Sequence, residues 1–236
     1  MALPQGASTV VKSPADSTNH LGHPWVAVDV VIFTLVKDRL SWLLVEVKDG
    51  PFIGRWAFPG GLVRGPESVD EAAARELSER TGVKAGYLEQ LYTFGKPERD
   101  PGTRAVSVSY MALVPLAQIR LNPGPKYSAA KWQEVNRLPV LAYDHTQVAR
   151  LALQRLRAKV QYTNIVCHLL PREFTLGEMQ RVYEIILRRS LDRRNFRKKI
   201  LALGLLTPLR KQKIGPHRPA TLYAFRQRRP VVIEVL

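Results

Sequence analysis

Residues 61–83 read GLVRGPESVDEAAARELSERTGV, and the elements encoded there decide the fold. Pro59-Gly60-Gly61 immediately before the run predicts a turn. Ser68 is a residue type that caps helices, and Glu71, three positions on, completes the reciprocal bonds of a capping box. Gly82 supplies the left-handed conformation on which a helix stops. Working outward toward the N-terminus, residues 25–36 and 41–47 are largely β-branched and aromatic around Lys37-Asp38-Arg39, the pattern of a hairpin. Working outward in the other direction, strand-like stretches recur at 87–94, 105–114 and 131–135. A helix over 144–159 follows, with Val148, Leu151, Ala152 and Leu156 on one side. Strands interleaved with two helices predict an α/β or α+β sandwich.

The chain has 236 residues, 45% hydrophobic and 24% charged, a composition that excludes wholesale disorder and collagen-like repetition. Its one cysteine, Cys167, excludes an internal disulfide framework and every multi-cysteine zinc site, and is expected to be a small buried hydrophobe. His145 and His168 show no partner arrangement of a catalytic or metal cluster. The run 25–36 is interrupted by Asp29 and is too short to cross a bilayer as a helix, so no membrane partner is expected. Residues 1–22, rich in Ser, Thr, Pro, Asn and Gly, read as a flexible arm rather than a signal peptide. A cytoplasmic protein is the expectation.

The formal net charge is +16, and it is unevenly spread. Residues 161–236 carry 16 basic and 5 acidic side chains, against 20 and 15 in residues 1–160. Such local excess suits a polyanionic partner. In the same segment Thr175 and Glu178 form a second capping box, followed by helical spacing of Leu176, Met179, Tyr183, Ile186 and Leu187. Ser190 is expected to cap a further helix that stops at Gly204, and residues 205–225 read as a β-hairpin with a charged tip. Helix, tight turn, helix, hairpin is the order of a winged helix. In the second helix Phe196, Ile200 and Leu203 share one side, leaving Arg193, Arg194, Asn195, Arg197 and Lys198 on the outer face as candidate readers of a major groove. Arg210, Lys211, Lys213, His217 and Arg218 in the hairpin are candidate phosphate or minor-groove contacts.

From Gly61 the fixed positions run five residues to Glu67, seven more, then Arg75-Glu76-Leu77-Ser78-Glu79-Arg80-Thr81-Gly82-Val83, preceded by Trp56-Ala57-Phe58-Pro59-Gly60. This resembles the Nudix box of hydrolases acting on nucleoside diphosphates linked to another moiety. The box with a basic winged helix containing Leu191-Asp192-Arg193-Arg194-Asn195-Phe196-Arg197 resembles the NrtR family of Nudix-related bacterial regulators of NAD metabolism. The resemblance implies an α+β chain: a flexible arm over 1–22, a Nudix-type α/β/α sandwich over 23–160 that senses ADP-ribose or a related nucleotide, and a winged helix-turn-helix over 161–236. It further implies a homodimer on pseudo-palindromic operator DNA of NAD synthesis or salvage genes, released by nucleotide; rotation of the winged helices about the segment near Lys159–Asn164 is the expected route.

One position departs from the Nudix pattern. Glu76 and Glu79 share a helix face suited to magnesium, but Arg80 stands where the family has a further metal-binding glutamate. Arg80 lies four residues after Glu76 and can pair with it, occupying the space of a cation. The expectation is therefore no catalytic residues, no bound metal and no required cofactor, with magnesium relevant only to residual hydrolysis. Candidate nucleotide contacts are Arg99 and Arg104 as a diphosphate clamp and Phe58 and Tyr110 as stacking partners for adenine. Two alternatives stay open: an active ADP-ribose or nucleoside-diphosphate pyrophosphatase with an accessory basic domain, in which Glu67 completes the metal site, and an RNA-binding Nudix protein.

Overall fold

The computed structural model describes residues 23–84, 86–214, 219–233 and 235. The expected arm at 1–22 and the wing residues His217 and Arg218 lie outside the described residues. Strand β1 (Trp25–Val36) and β2 (Arg39–Val47) form the expected hairpin. Their connection is tight because Lys37 (φ 47°) and Asp38 (φ 58°) both adopt the left-handed conformation that a two-residue turn requires. Short strands β3 (Trp56–Ala57) and β4 (Gly60–Leu62) precede helix α1 (Val69–Thr81), and β5 (Tyr87–Phe94), β6 (Ala105–Leu113), β7 (Tyr127–Glu134) and α2 (His145–Tyr162) complete the sandwich. Gly60 and Gly61, expected in a turn, are instead extended and pair antiparallel with Asp29 and Val28.

These strands make one mixed seven-stranded sheet, ordered β3-β2-β1-β6-β5, with β4 also on β1 and β7 also on β2. At its centre β1 runs parallel to β6, from Trp25 opposite Ala105 to Phe33 opposite Leu113. A strand covered on both faces needs apolar side chains at both parities. Val28, Val30 and Ile32 accordingly pack under α1 with Ala72, Ala73 and Leu77. Val31 and Phe33 face the other way, toward Val148, Ala152 and Leu156 of α2. Strand parity also fixes polar positions: Asp29 belongs to the α2 face, and Tyr110, opposite Val30, to the α1 face.

Helix α3 (Leu176–Leu187), α4 (Arg193–Ala202) and a three-stranded sheet of β8 (Phe174–Thr175), β10 (Ala220–Phe225) and β9 (Leu206–Lys213) form the winged helix. The capping box of Thr175 and Glu178 is present, as is that of Ser68 and Glu71. Ser190 does not cap α4. Asp192 does, its Oδ1 accepting from the Asn195 amide at 2.8 Å. The start is displaced because Leu191 is tied to α3: its amide donates to Glu184 and its carbonyl accepts from Gln180.

The two units share one apolar cluster that runs from β1, β2 and α2 through Val182, Tyr183 and Ile186 to Phe196 and Ile200. The segment expected to swivel is part of it. Thr163 and Asn164 are buried, followed by the fully buried Ile165, Val166 and Cys167. Beyond β10 the chain returns to this junction. The Asn164 side chain donates to the Arg229 carbonyl and accepts from the Val231 amide, while the Ile233 amide donates to the Tyr162 carbonyl. Among the described residues no helix is long and apolar enough to cross a membrane.

Candidate nucleotide cleft and nucleic-acid interface

Glu67, just before α1, and Glu76 and Glu79 within it are occupied by guanidinium groups. Arg75 makes a two-pronged contact with Glu67 (2.7 and 3.0 Å), donates to Glu76 (2.8 Å) and reaches the Leu62 carbonyl (3.2 Å). Hydrogen bonding to Arg75 holds the Glu67 carboxyl down at about 2. Arg80 is buried. Its Nη2 lies 3.1 Å from Glu79 and 3.5 Å from Glu76, and its Nη1 donates to the Pro123 carbonyl at 2.8 Å. The Arg80 guanidinium carbon sits 5.2 Å from the centre of the Tyr127 ring. Magnesium needs several oxygens converging without fixed cations among them. The donor set here does not fit it: Glu67, Glu76 and Glu79 each already face a guanidinium, and no group of three metal-capable side chains converges among the described residues.

Beside this helix lies a cavity of about 320 Å³, between the ends of β1, β4 and β6 and the N-terminus of α2. Gly60 and Gly61 form part of its wall for a steric reason. A Cβ on Gly60 would fall 2.4 Å from an Asp29 oxygen and 2.5 Å from the Val28 carbonyl, and one on Gly61 would fall 2.4 Å from Glu76. The floor is a buried polar network. Asp29 accepts from Arg99 (3.1 Å) and Ser107 (2.5 Å), while Arg99 also donates to both oxygens of Asp144 (3.0 and 3.2 Å). His145 Nδ1 accepts from the Phe58 amide at 3.0 Å, and its Nε2 lies 3.3 Å from Asp29. Burial works to raise the Asp29 carboxyl, but His145, Arg99 and Ser107 together outweigh it and hold it well below the usual carboxylate range. His145 is thus built into the cavity wall.

Of the four candidate nucleotide contacts, Phe58 and Arg99 line the cavity. Arg99 is already engaged by two carboxylates, and its role there is at least partly structural. Arg104 donates to the Ala105 carbonyl and does not line the cavity. Tyr110 is on the α1 face of the sheet, bonded to Asp70. Two residues not anticipated from sequence matter more. The Tyr127 hydroxyl bonds both the amide and the carbonyl of Gly60 (3.0 and 2.8 Å), and the Lys126 ammonium donates to the same carbonyl. No local motif marks either; β7 brings them in through its pairing of Tyr127 with Val47.

On the winged helix, Phe196 and Ile200 are buried while Arg193, Arg194, Asn195, Arg197 and Lys198 are exposed, as a groove-reading helix requires. Between the N-terminal turns of α3 and α4 and the wing lies a trough of about 820 Å³ lined by Thr175, Gly177, Arg193, Arg197, Gln212 and Tyr223. In the wing, Arg210 is exposed, Lys211 pairs with Glu173 (2.9 Å) and Lys213 with Glu178 (2.6 Å). Exposed pairs of this kind are weak and exchange readily for a phosphate.

A sandwich with a self-neutralised acidic helix, joined through a common core to a basic winged helix, defines a Nudix-type domain with an appended winged helix. Residues 23–156 match the NUDIX domain, and residues 166–225 match the NrtR DNA-binding winged helix domain. The chain belongs to the NrtR family. It is 34% identical over 206 residues to an ADPR-responsive transcriptional repressor of Acinetobacter baylyi, covering 86% of this chain and 82% of that protein. The solved structure of Shewanella oneidensis NrtR with a 27mer DNA matches it with a TM-score of 0.77 and 33% identity, covering 85% of this chain and 93% of that one. The Nudix domain of the same Shewanella protein, solved with ADP-ribose, matches with a TM-score of 0.51 and 35% identity over 57% of this chain and 89% of that one.

Proposed function

We propose that this protein is a transcriptional repressor that binds operator DNA through its winged helix and lets go when ADP-ribose fills the cavity of its Nudix domain, without hydrolysing it. The observation that carries the reading is Arg80, buried between Glu76 and Glu79 on the helix where a hydrolase needs converging carboxylates. Metal-assisted hydrolysis draws several kcal/mol of barrier reduction from charge neutralisation and an activated water. A guanidinium already paired with Glu76 and Glu79 activates no water and has little charge left for a phosphate. The likeness to a repressor and to a DNA-bound regulator over most of the chain supports the other half.

In this reading the sensor occupies residues 23–160 and the DNA-binding unit residues 161–236. Arg193, Arg194, Asn195, Arg197 and Lys198 face base edges, while Arg210, Lys211 and Lys213 face phosphates. The protein acts as a homodimer on a pseudo-palindrome with half-sites about one helical turn apart, upstream of NAD synthesis or salvage genes. Nucleotide binding lowers operator affinity by about 5–150-fold, a coupling of roughly 1–3 kcal/mol. The test is a titration of such upstream DNA with and without ADP-ribose, with nucleotide breakdown followed in magnesium in the same samples. Operator release with the nucleotide intact is the expected result. Unchanged operator affinity, or turnover at an enzyme's rate, overturns the reading.

A further inference from the structure

We infer that the ammonium group of Lys126 takes the place of a divalent cation in this cleft, so that the diphosphate of a nucleoside diphosphate binds with no metal at all. The inference rests on the sensor reading above and adds the means by which the ligand's charge is met.

A nucleotide diphosphate approaching an acidic helix is repelled unless positive charge intervenes, and in an aqueous cleft that charge is ordinarily a metal ion. Here Arg75 and Arg80 cancel most of the charge of Glu67, Glu76 and Glu79 within the protein. The helix no longer calls for a cation, yet it presents no free positive group of its own, because both guanidiniums are spent on carboxylates. Lys126 supplies one. It is an exposed residue immediately before β7, and its ammonium lies in the cavity wall, donating to the Gly60 carbonyl. A Cβ on Gly61 would fall 3.2 Å from that nitrogen and 2.4 Å from Glu76, so the missing side chain at Gly61 keeps open the place where ammonium and carboxylate approach.

An ammonium has three hydrogens to donate. Among the described residues one is used, on Gly60, and the others remain for oxygens entering the cavity. The Tyr127 ring centre lies 5.4 Å from the Lys126 nitrogen and 5.2 Å from the Arg80 guanidinium carbon, close enough for its π-face to attract both cations to this part of the cavity. Burial disfavours the charged lysine, and Glu76 and Asp29 work against that loss.

The experiment is calorimetric titration of ADP-ribose into the full-length protein, in EDTA and again in excess magnesium, for wild type, K126M and K126R. The expected result is an affinity that magnesium changes by less than twofold, a loss of tenfold or more in K126M, and retention of most of the affinity in K126R, which keeps a cation in place. Near-ultraviolet circular dichroism of each variant shows whether the fold is kept. Tightening of tenfold or more by magnesium overturns the inference while leaving the sensor reading intact. So does wild-type affinity in K126M. No binding in either condition overturns both.

Discussion

At the scale of single residues, the cleft is ruled by which charges are fixed to which. Arg80 donates to a backbone carbonyl as well as to Glu79, and so is held at two ends. Replacing it by glutamate should turn the self-neutralised helix into a set of carboxylates that repel one another until a cation enters. The R80E protein is expected to melt below wild type in EDTA and to regain much of the difference in magnesium, since a ligand that binds only the folded state stabilises it by mass action. Wild type should show no such response, and thermal unfolding in the two buffers checks both. Asp29 offers a pH test. Its folded pKa lies below the unfolded value of about 3.9, so its contribution is fully present above that value and is lost as pH falls through the folded one. D29N should therefore cost about 2 kcal/mol at neutral pH, the scale of a hydrogen bond to a charged group, and should narrow its gap to wild type below pH 4. Urea unfolding across pH 3–7 reads both effects. The Arg80 pairing was legible in the sequence because its partners lie one and four residues away. The Asp29–His145 contact was not, because it depends on strand parity in β1 meeting the first turn of α2, and nothing local to either residue encodes that.

The same division appears among the elements. Capping boxes use residues three apart, and both were readable and both are present. The start of α4 was misread because Ser190 is a good cap by type, while the choice between Ser190 and Asp192 is made by α3. Glu184 and Gln180 grip Leu191 and leave Asp192 as the first residue free to turn its side chain back. The preceding helix ends on Arg188 in the left-handed conformation, without glycine, so no sequence signal marked that stop. Removing the cap in D192A should cost about 1 kcal/mol, whereas S190A should fall within a few tenths of wild type. Because the capped turn carries Arg193, Arg194 and Asn195, D192A should also weaken operator binding measurably in a fluorescence anisotropy titration. Equal stability loss in the two variants would return the cap to Ser190.

Across the whole molecule, the sequence suggested two bodies joined by a swivel; in the structure that junction is buried and one continuous helix leads up to it. Helix α2 begins at the cavity floor, where Asp144 and His145 meet Arg99 and Asp29, and its 18 residues carry it to the winged helix, roughly 27 Å away at 1.5 Å per residue. Its far half is fixed to the DNA-binding unit at a specific point: Arg157 Nε donates to the Ile186 carbonyl at 3.1 Å, in the last turn of α3. A basic group there satisfies a helix-end carbonyl and opposes the negative end of the helix dipole. The returning tail, bonded through Asn164, closes the other side. Helix α2 is thus in direct contact with α3, which shares its core with α4, so any shift of α2 would reach the DNA-binding unit with no exposed linker needed. Composition could not reveal this, since the junction residues Thr163 and Asn164 look like loop residues and are buried only because the chain's last strand-like segment comes back to cover them. If Arg157 carries the coupling, R157M should leave nucleotide affinity of the DNA-free protein near wild type while shrinking the nucleotide's effect on operator affinity. Coupling is reciprocal, so the operator's effect on nucleotide affinity must shrink by the same factor. Measuring both legs of that cycle in R157M distinguishes loss of coupling from simple damage to the winged helix, which would weaken operator binding equally with and without ADP-ribose.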